Sequence, residues 1–204
     1  MAATSPPLTR IQTKNRELIL SAALDVFSQH GFRGTTLDQI AEGAGLSKPN
    51  LLYYFPSKEA IHLTLLARLL DNWLDPLREM RADGEPVAEI MGYVRRKLDM
   101  SRDFPRESRL FANEILRGAP HMRETLETDL RALVEEKAVI LRQWMAEGRI
   151  ATLDPVHLIF SIWALTQHYA DFEVQVRGVL GATHDPFTEA NDFLTFMYER
   201  LLAP

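Results

Sequence analysis

Residues 36–55 read TLDQIAEGAGLSKPNLLYYF, where hydroxyls, two carboxamides, a lysine and two tyrosines stand at spacings suited to holding phosphates and reading base edges. Thr36 and Gln39 fit a capping box, which starts a short helix at Leu37 with Ile40 and Ala41 turned to a core. Gly45 permits the left-handed or tight backbone of a steep turn, and Ser47 is placed to cap a second short helix. Two helices joined in this way read as a helix-turn-helix, whose second helix enters a DNA major groove by its N-terminal residues. Asn50 is the best base reader, because a carboxamide is bidentate to adenine, while lysines and tyrosine hydroxyls hold phosphates. Ser47 is a cap first; Leu46, Leu51 and Phe55 read as core, and Tyr53 and Tyr54 as side chains able to pack and to bond.

Such side chains need a scaffold. Ile19, Ala22, Ala23, Val26 and Phe27 follow the 3.6-residue period up to Gly31, predicting a helix over 13–30. Short helical patterns cover 37–44 and 48–54, and a long one runs over 57–82. Others cover 87–102, 106–117, 122–147, 155–178 and 187–202, separated by Gly84 with Pro86, Pro105, Gly118 with Pro120, Gly148, and Asp154 with Pro155. The expectation is an all-α fold of nine helices: a flexible tail at 1–12, a DNA-binding domain at 13–57 and a ligand-binding and dimerisation domain at 58–204. The first three helices are too small to bury much core alone and must lean on the long helix.

Composition narrows the classes. The 204 residues carry a net charge of −5, but residues 1–60 are at +1 and the rest at −6, so the acidity leaves a nucleic-acid role for the first part open. Absence of cysteine removes disulfides, thiolate nucleophiles, iron-sulfur clusters and thiolate zinc sites, and fits the cytosol. Six histidines without an HxH or HxxxH pair argue against a metal. No GxSxG, GxGxxG or Walker lysine is present, so no catalytic residue or cofactor is expected. The most apolar segment, 158–165, is far shorter than the ~20 residues that cross a bilayer, and no membrane role is expected.

The run TTLDQIAEGAGLSKPNLLYYFPSKEAI at 35–61 resembles the DNA-binding signature of the TetR family of transcriptional regulators. The resemblance implies operator contacts by Ser47, Lys48, Pro49, Asn50 and Tyr53 on the recognition helix, with phosphate contacts by Thr36 and Lys58. Pro49 stands where a small residue is usual and Leu52 where Tyr is frequent, so the operator sequence is left open. It also implies a homodimer through the helices at 155–178 and 187–202. Ala190, Leu194, Met197 and Leu201 form an apolar stripe there, which equally suits the chain's own core.

In LIFSIWALTQHYADF, at 158–172, an apolar helix runs into polar side chains, and Trp163, Thr166, Gln167 and Ala170 share one face. An aromatic plane beside a carboxamide suits a flat heterocycle with an amide-like edge, such as uracil or thymine. Plain core packing is the competing reading of the same aromatics. KLDMSRDFPRESRLF at 97–111, HLIF, TQHYADF and GAT at 181–183 are together similar to pyrimidine-responsive TetR regulators. That resemblance implies a pocket of Trp73, Phe111, Glu114, Trp163, Thr166, Gln167 and Tyr169. Trp73 lies on the long helix that carries Lys58, so a ligand touching it would tilt that helix and change the spacing of two DNA-reading heads. A TetR-type sensor of another small molecule and a helical interaction scaffold are the alternatives; the scaffold leaves the capping box, the Gly45 turn and YYFPSK without a role.

Overall fold

The computed structural model describes residues 9–204 and is helical, with no strand among those residues. The helices are α1 (Arg10–Gly34), α2 (Leu37–Gly43), α3 (Lys48–Tyr54), α4 (Lys58–Arg78), α5 (Pro86–Asp103), α6 (Pro105–Leu116), α7 (Arg123–Thr125), α8 (Arg131–Ala146), α9 (Pro155–Asp171), α10 (Glu173–Leu180) and α11 (Phe187–Leu202), with a π-helical turn at Leu126–Leu130. Because α7, the π turn and α8 run on without a break, ten helical stretches stand where nine are expected. The extra one comes from 155–178, which divides at Phe172 (φ −113°, ψ 31°). No glycine or proline marks that break in the sequence.

Two compact units meet within α4, Met1–Leu69 and Leu70–Pro204. The expected boundary at 57/58 shifts because the first turns of α4 belong with the N-terminal helices. The Arg68 guanidinium grips the Glu17 carboxylate of α1 through two bonds of 2.8 and 2.9 Å. The His62 ring stands edge-on to Phe27 at 4.9 Å. Ile19, Ala23, Phe27, Ile40, Leu51 and Ile61 form the core of this unit. The tail expected at 1–12 lies outside the described residues up to residue 8. Beyond it, helix α1 already begins at Arg10, because Thr9 and Gln12 form a capping box, with 2.9 and 3.3 Å bonds. Gly31, at φ +65°, interrupts α1 where the periodicity ends.

In the second unit α5 lies against α9 and α11, and α9 also packs on α6 and α8. Trp144, Tyr93, Tyr198, Leu77 and Ile90 are its most deeply buried large side chains. The end of α4 is held by side chains of α8: the Lys137 ammonium donates to the carbonyls of Arg78 (2.8 Å) and Met80 (3.2 Å), and the Trp144 indole to that of Ala82 (3.1 Å). Asp154 caps α9 as its position before Pro155 predicts, accepting from the amides of Val156 and His157 at 2.9 Å. Those bonds, that from His157 first, hold its carboxyl below the usual range. No helix is long and apolar enough to cross a membrane among the described residues.

Candidate functional sites

The N-terminal site is built by short-range bonds. The Thr36 hydroxyl accepts from the Gln39 amide (3.2 Å), the Gln39 side chain accepts from the Thr36 amide (2.8 Å), and Ile40 and Ala41 are buried. Gly45 sits at φ +66°, with open space around the position a Cβ would take, so the backbone conformation alone requires glycine there. Ser47 accepts from the Asn50 amide at 3.4 Å, and Pro49 occupies the first turn of α3, where a missing N–H costs nothing. Leu51 faces inward, whereas Ser47, Lys48, Pro49, Asn50 and Tyr53 are exposed, Tyr53 by 70%. One face of α3 is therefore a row of polar groups free of core packing.

The tyrosines tie this row to α1. Gln12 donates to the Tyr53 hydroxyl at 3.2 Å and Asn15 to that of Tyr54 at 2.8 Å, with the two rings edge-to-face at 5.1 Å. Arg16 adds a bond to the Tyr54 carbonyl (3.0 Å) and lies 4.2 Å over the Phe55 ring, a tether the sequence reading missed. The Lys48 ammonium rests on the Asp38 carboxylate at 2.9 Å in an exposed pair, a weak contact that a phosphate can displace. Lys58 is placed differently from a free phosphate ligand. Its ammonium donates to the carbonyls of Phe32 (2.7 Å) and Thr35 (2.6 Å) and sits 4.5 Å over the Phe32 ring. Two of its three donors thus close the end of α1.

The residues expected to wall one pocket are distributed over several surroundings in the second unit. Phe111 and Gln167 share a cleft of about 450 Å³ between α6 and α9 with Asn113, Leu116, Asp171 and Phe172. Trp163 lines another cavity of about 320 Å³, between the π turn, α8 and α9, with Leu126, Leu130, Val134 and Phe160. Its indole N–H donates to the Tyr93 hydroxyl at 2.6 Å. Tyr169 lines a smaller cavity of about 120 Å³ near Phe187. The Thr166 hydroxyl is buried and donates to the Ile162 carbonyl (2.7 Å). The Glu114 carboxylate accepts from the His121 amide at 2.7 Å and faces the His121 ring at 3.2 Å. Trp73 is buried with no hydrogen-bond partner on its indole nitrogen. Helical spacing places Trp163 and Gln167 near one another on α9, but different neighbouring helices wall them, which periodicity does not reveal.

Lys97 and Asp171 were not foreseen. The Lys97 ammonium lies 4.6 Å over the Trp73 ring and is almost fully buried, and burial brings its pKa down to about 7 against the opposing pull of Asp171. Asp171 accepts from the Ser108 hydroxyl at 2.5 Å, and burial raises its carboxyl above the usual range while that bond opposes the shift. A signal for Lys97 existed: it falls at i+7 from Ile90 and i+3 from Val94, on the apolar stripe of α5.

Comparison with known proteins gives concordant findings. The profile of bacterial regulatory proteins of the tetR family matches residues 19–64, and that of the YcdC-like protein C-terminal region matches 66–204. The HTH-type transcriptional regulator RutR of Escherichia coli (strain K12) is 54% identical over 180 residues, covering 88% of this chain and 85% of RutR. The structure of the putative transcriptional regulator SCO4942 from Streptomyces coelicolor superposes with a TM-score of 0.73 at 25% identity, over 92% of this chain and 98% of that one. AibR in complex with isovaleryl coenzyme A and operator DNA shares the fold, with a TM-score of 0.68 at 16% identity, over 90% of this chain and 97% of AibR.

Proposed function

The chain belongs to the TetR family of bacterial transcriptional regulators, and from that premise we propose that it senses a pyrimidine, uracil or thymine, and controls pyrimidine-utilisation genes from the cytoplasm. It is a ligand-responsive DNA-binding regulator and not an enzyme. The observation that carries the finer reading is the α6–α9 cleft, which Phe111, Gln167 and Asp171 line together. A dioxopyrimidine has alternating N–H and C=O groups on a flat ring, and this set offers an amide donor, two acceptors and an aromatic wall. The volume lies within the ~300–1,000 Å³ usual for small-molecule sites.

In this reading Ser47, Lys48, Pro49, Asn50 and Tyr53 meet the operator, with Asn50 reading a base, and Thr36 and the third Lys58 donor meet phosphates. The chain acts as a homodimer through α9 and α11. Exposed Phe160 on α9 and exposed Phe193 and Phe196 on α11 support that assignment. Trp73 and Lys58 lie on the same helix, α4, so a ligand that changes the Trp73 surroundings acts on the helix that carries Lys58. The ligand then selects between two separations of the recognition helices.

Titration with uracil and with thymine, followed by tryptophan emission, tests the proposal. The expected result is saturable quenching that Gln167→Ala abolishes. No response by emission or calorimetry removes the pyrimidine and leaves a TetR regulator of another small molecule.

A further inference from the structure

The α6–α9 cleft is open on one side, and its open edge is apolar. Leu116 at the end of α6 is 82% exposed, Ile115 39% and Phe172 56%. Beyond Phe172, α10 buries none of its side chains, and its Val174 is almost wholly exposed. Exposed apolar side chains grouped at the edge of a cleft, rather than scattered singly, suit a contact site.

What covers it follows from the neighbouring face of α9. His157, Phe160, Ala164 and His168 form an exposed row at spacings of three and four residues, and the His168 ring stacks on that of Phe172 at 5.2 Å. The row therefore runs directly into the edge of the cleft. Exposed Glu189, Phe193, Phe196 and Arg200 form the corresponding row on α11. These eight positions are fewer than the ~20–30 residues per side that a stable interface uses, so an interface centred on the two rows extends onto the surface around them. The apolar surface continuous with the α9 row is the mouth of the cleft. In a two-fold interface each mouth meets the same patch of the partner.

We infer that a second copy of this chain covers the mouth formed by Ile115, Leu116 and Phe172, so that the small-molecule cleft is complete only in the dimer. The part concerning the ligand rests on the function proposed above; the part concerning the covering does not. Ligand affinity and self-association are then reciprocally coupled: a ligand that needs the closed cleft tightens the dimer, and dilution to monomer weakens the ligand.

Sedimentation equilibrium of the full chain, with and without uracil as probe, is the test. Leu116→Lys suits it, since a lysine is tolerated at an exposed helix C-terminus and preserves the fold, and Phe172→Ala is a second, milder variant. Leu116→Lys is expected to raise the dimer dissociation constant by about ten-fold or more, because burying an unpaired charge in an interface costs at least ~1.4 kcal/mol. Saturating uracil is expected to tighten the wild-type dimer. Wild-type self-association in both variants overturns the inference. So does uracil quenching of equal affinity in a monomeric Phe193→Asp, Phe196→Asp chain, which shows the cleft complete in one copy. Absence of uracil binding together with a weakened Leu116→Lys dimer removes the pyrimidine and keeps the covered mouth.

Discussion

The indole N–H of Trp163 donates to the hydroxyl of Tyr93 across 2.6 Å, joining α9 to α5. The Tyr93 phenol is fully buried, and that burial pushes its pKa up. Trp163 therefore holds two core helices together through its one polar atom and turns its ring to a cavity distinct from that of Gln167.

A double-mutant cycle measures this bond. Trp163→Phe and Tyr93→Phe are each expected to lower stability by ~1–2 kcal/mol, and the double variant to lose less than the two together, because the bond is lost only once. Urea denaturation reads all four corners; strict additivity contradicts the coupling.

Lys58 has a structural duty as well as an electrostatic one. Lys58→Ala leaves the carbonyls of Phe32 and Thr35 without their ammonium, and the expected loss is ~1–3 kcal/mol of stability. The salt dependence of DNA binding is expected to fall by less than the roughly one counterion of a free phosphate contact, since one donor remains. Thermal melts and binding isotherms at several salt concentrations separate the two effects.

Asn50 sits exposed in the first turn of α3 with its carboxamide outside the core. Asn50→Ala is expected to cost ~1–3 kcal/mol at one base-pair position of the operator and to relax preference there alone. Anisotropy titrations against single-position operator variants read it; a uniform loss across all sequences points to a phosphate contact instead.

The buried ammonium of Lys97 destabilises the fold whenever it is charged. Its pKa falls from 10.5 in an exposed lysine to about 7 here, so between those values the unfolded chain binds more protons than the folded one. Stability must then rise with pH over that window, and below pH 7 the penalty is fully present. Lys97→Met is expected to flatten this slope and to raise stability at pH 7, as chemical denaturation at pH 7, 8.5 and 10 will show. Asp171, whose carboxyl is raised by burial, acts in the opposite direction, its folded form holding a proton that the unfolded chain has released.

Where the chemistry is local, it was legible in the sequence. The Thr36–Gln39 box, the Gly45 turn, the Ser47 cap and the Asp154–Pro155 start each lie within a few residues of their partners, and each forms as its residue types dictate. Long-range partners were not. Nothing near Lys58 announces carbonyls 26 and 23 residues away, and nothing near Trp163 announces Tyr93. The break at Phe172 has no breaker residue, and the division of Trp163, Gln167 and Tyr169 among three cavities depends on which helices pack against α9. Periodicity puts Trp163, Thr166, Gln167 and Ala170 on one face of α9, of which only Thr166 and Ala170 are buried, and it says nothing of the neighbouring helices.

The π-helical turn at Leu126–Leu130 contains one residue more than an α-helical turn would use over the same rise, and it sets both leucines against the Trp163 cavity. The stretch 123–146 can therefore be regarded as a helix carrying a single-residue insertion. Removing Glu127 or Thr128 would restore regular α geometry while leaving α8 in its packed register, and would rotate the preceding turn by about 100°. Chain length is expected to vary at this place more readily than anywhere else in that helix, and each such change would redraw the wall of one cavity and turn the buried Met122 ahead of it.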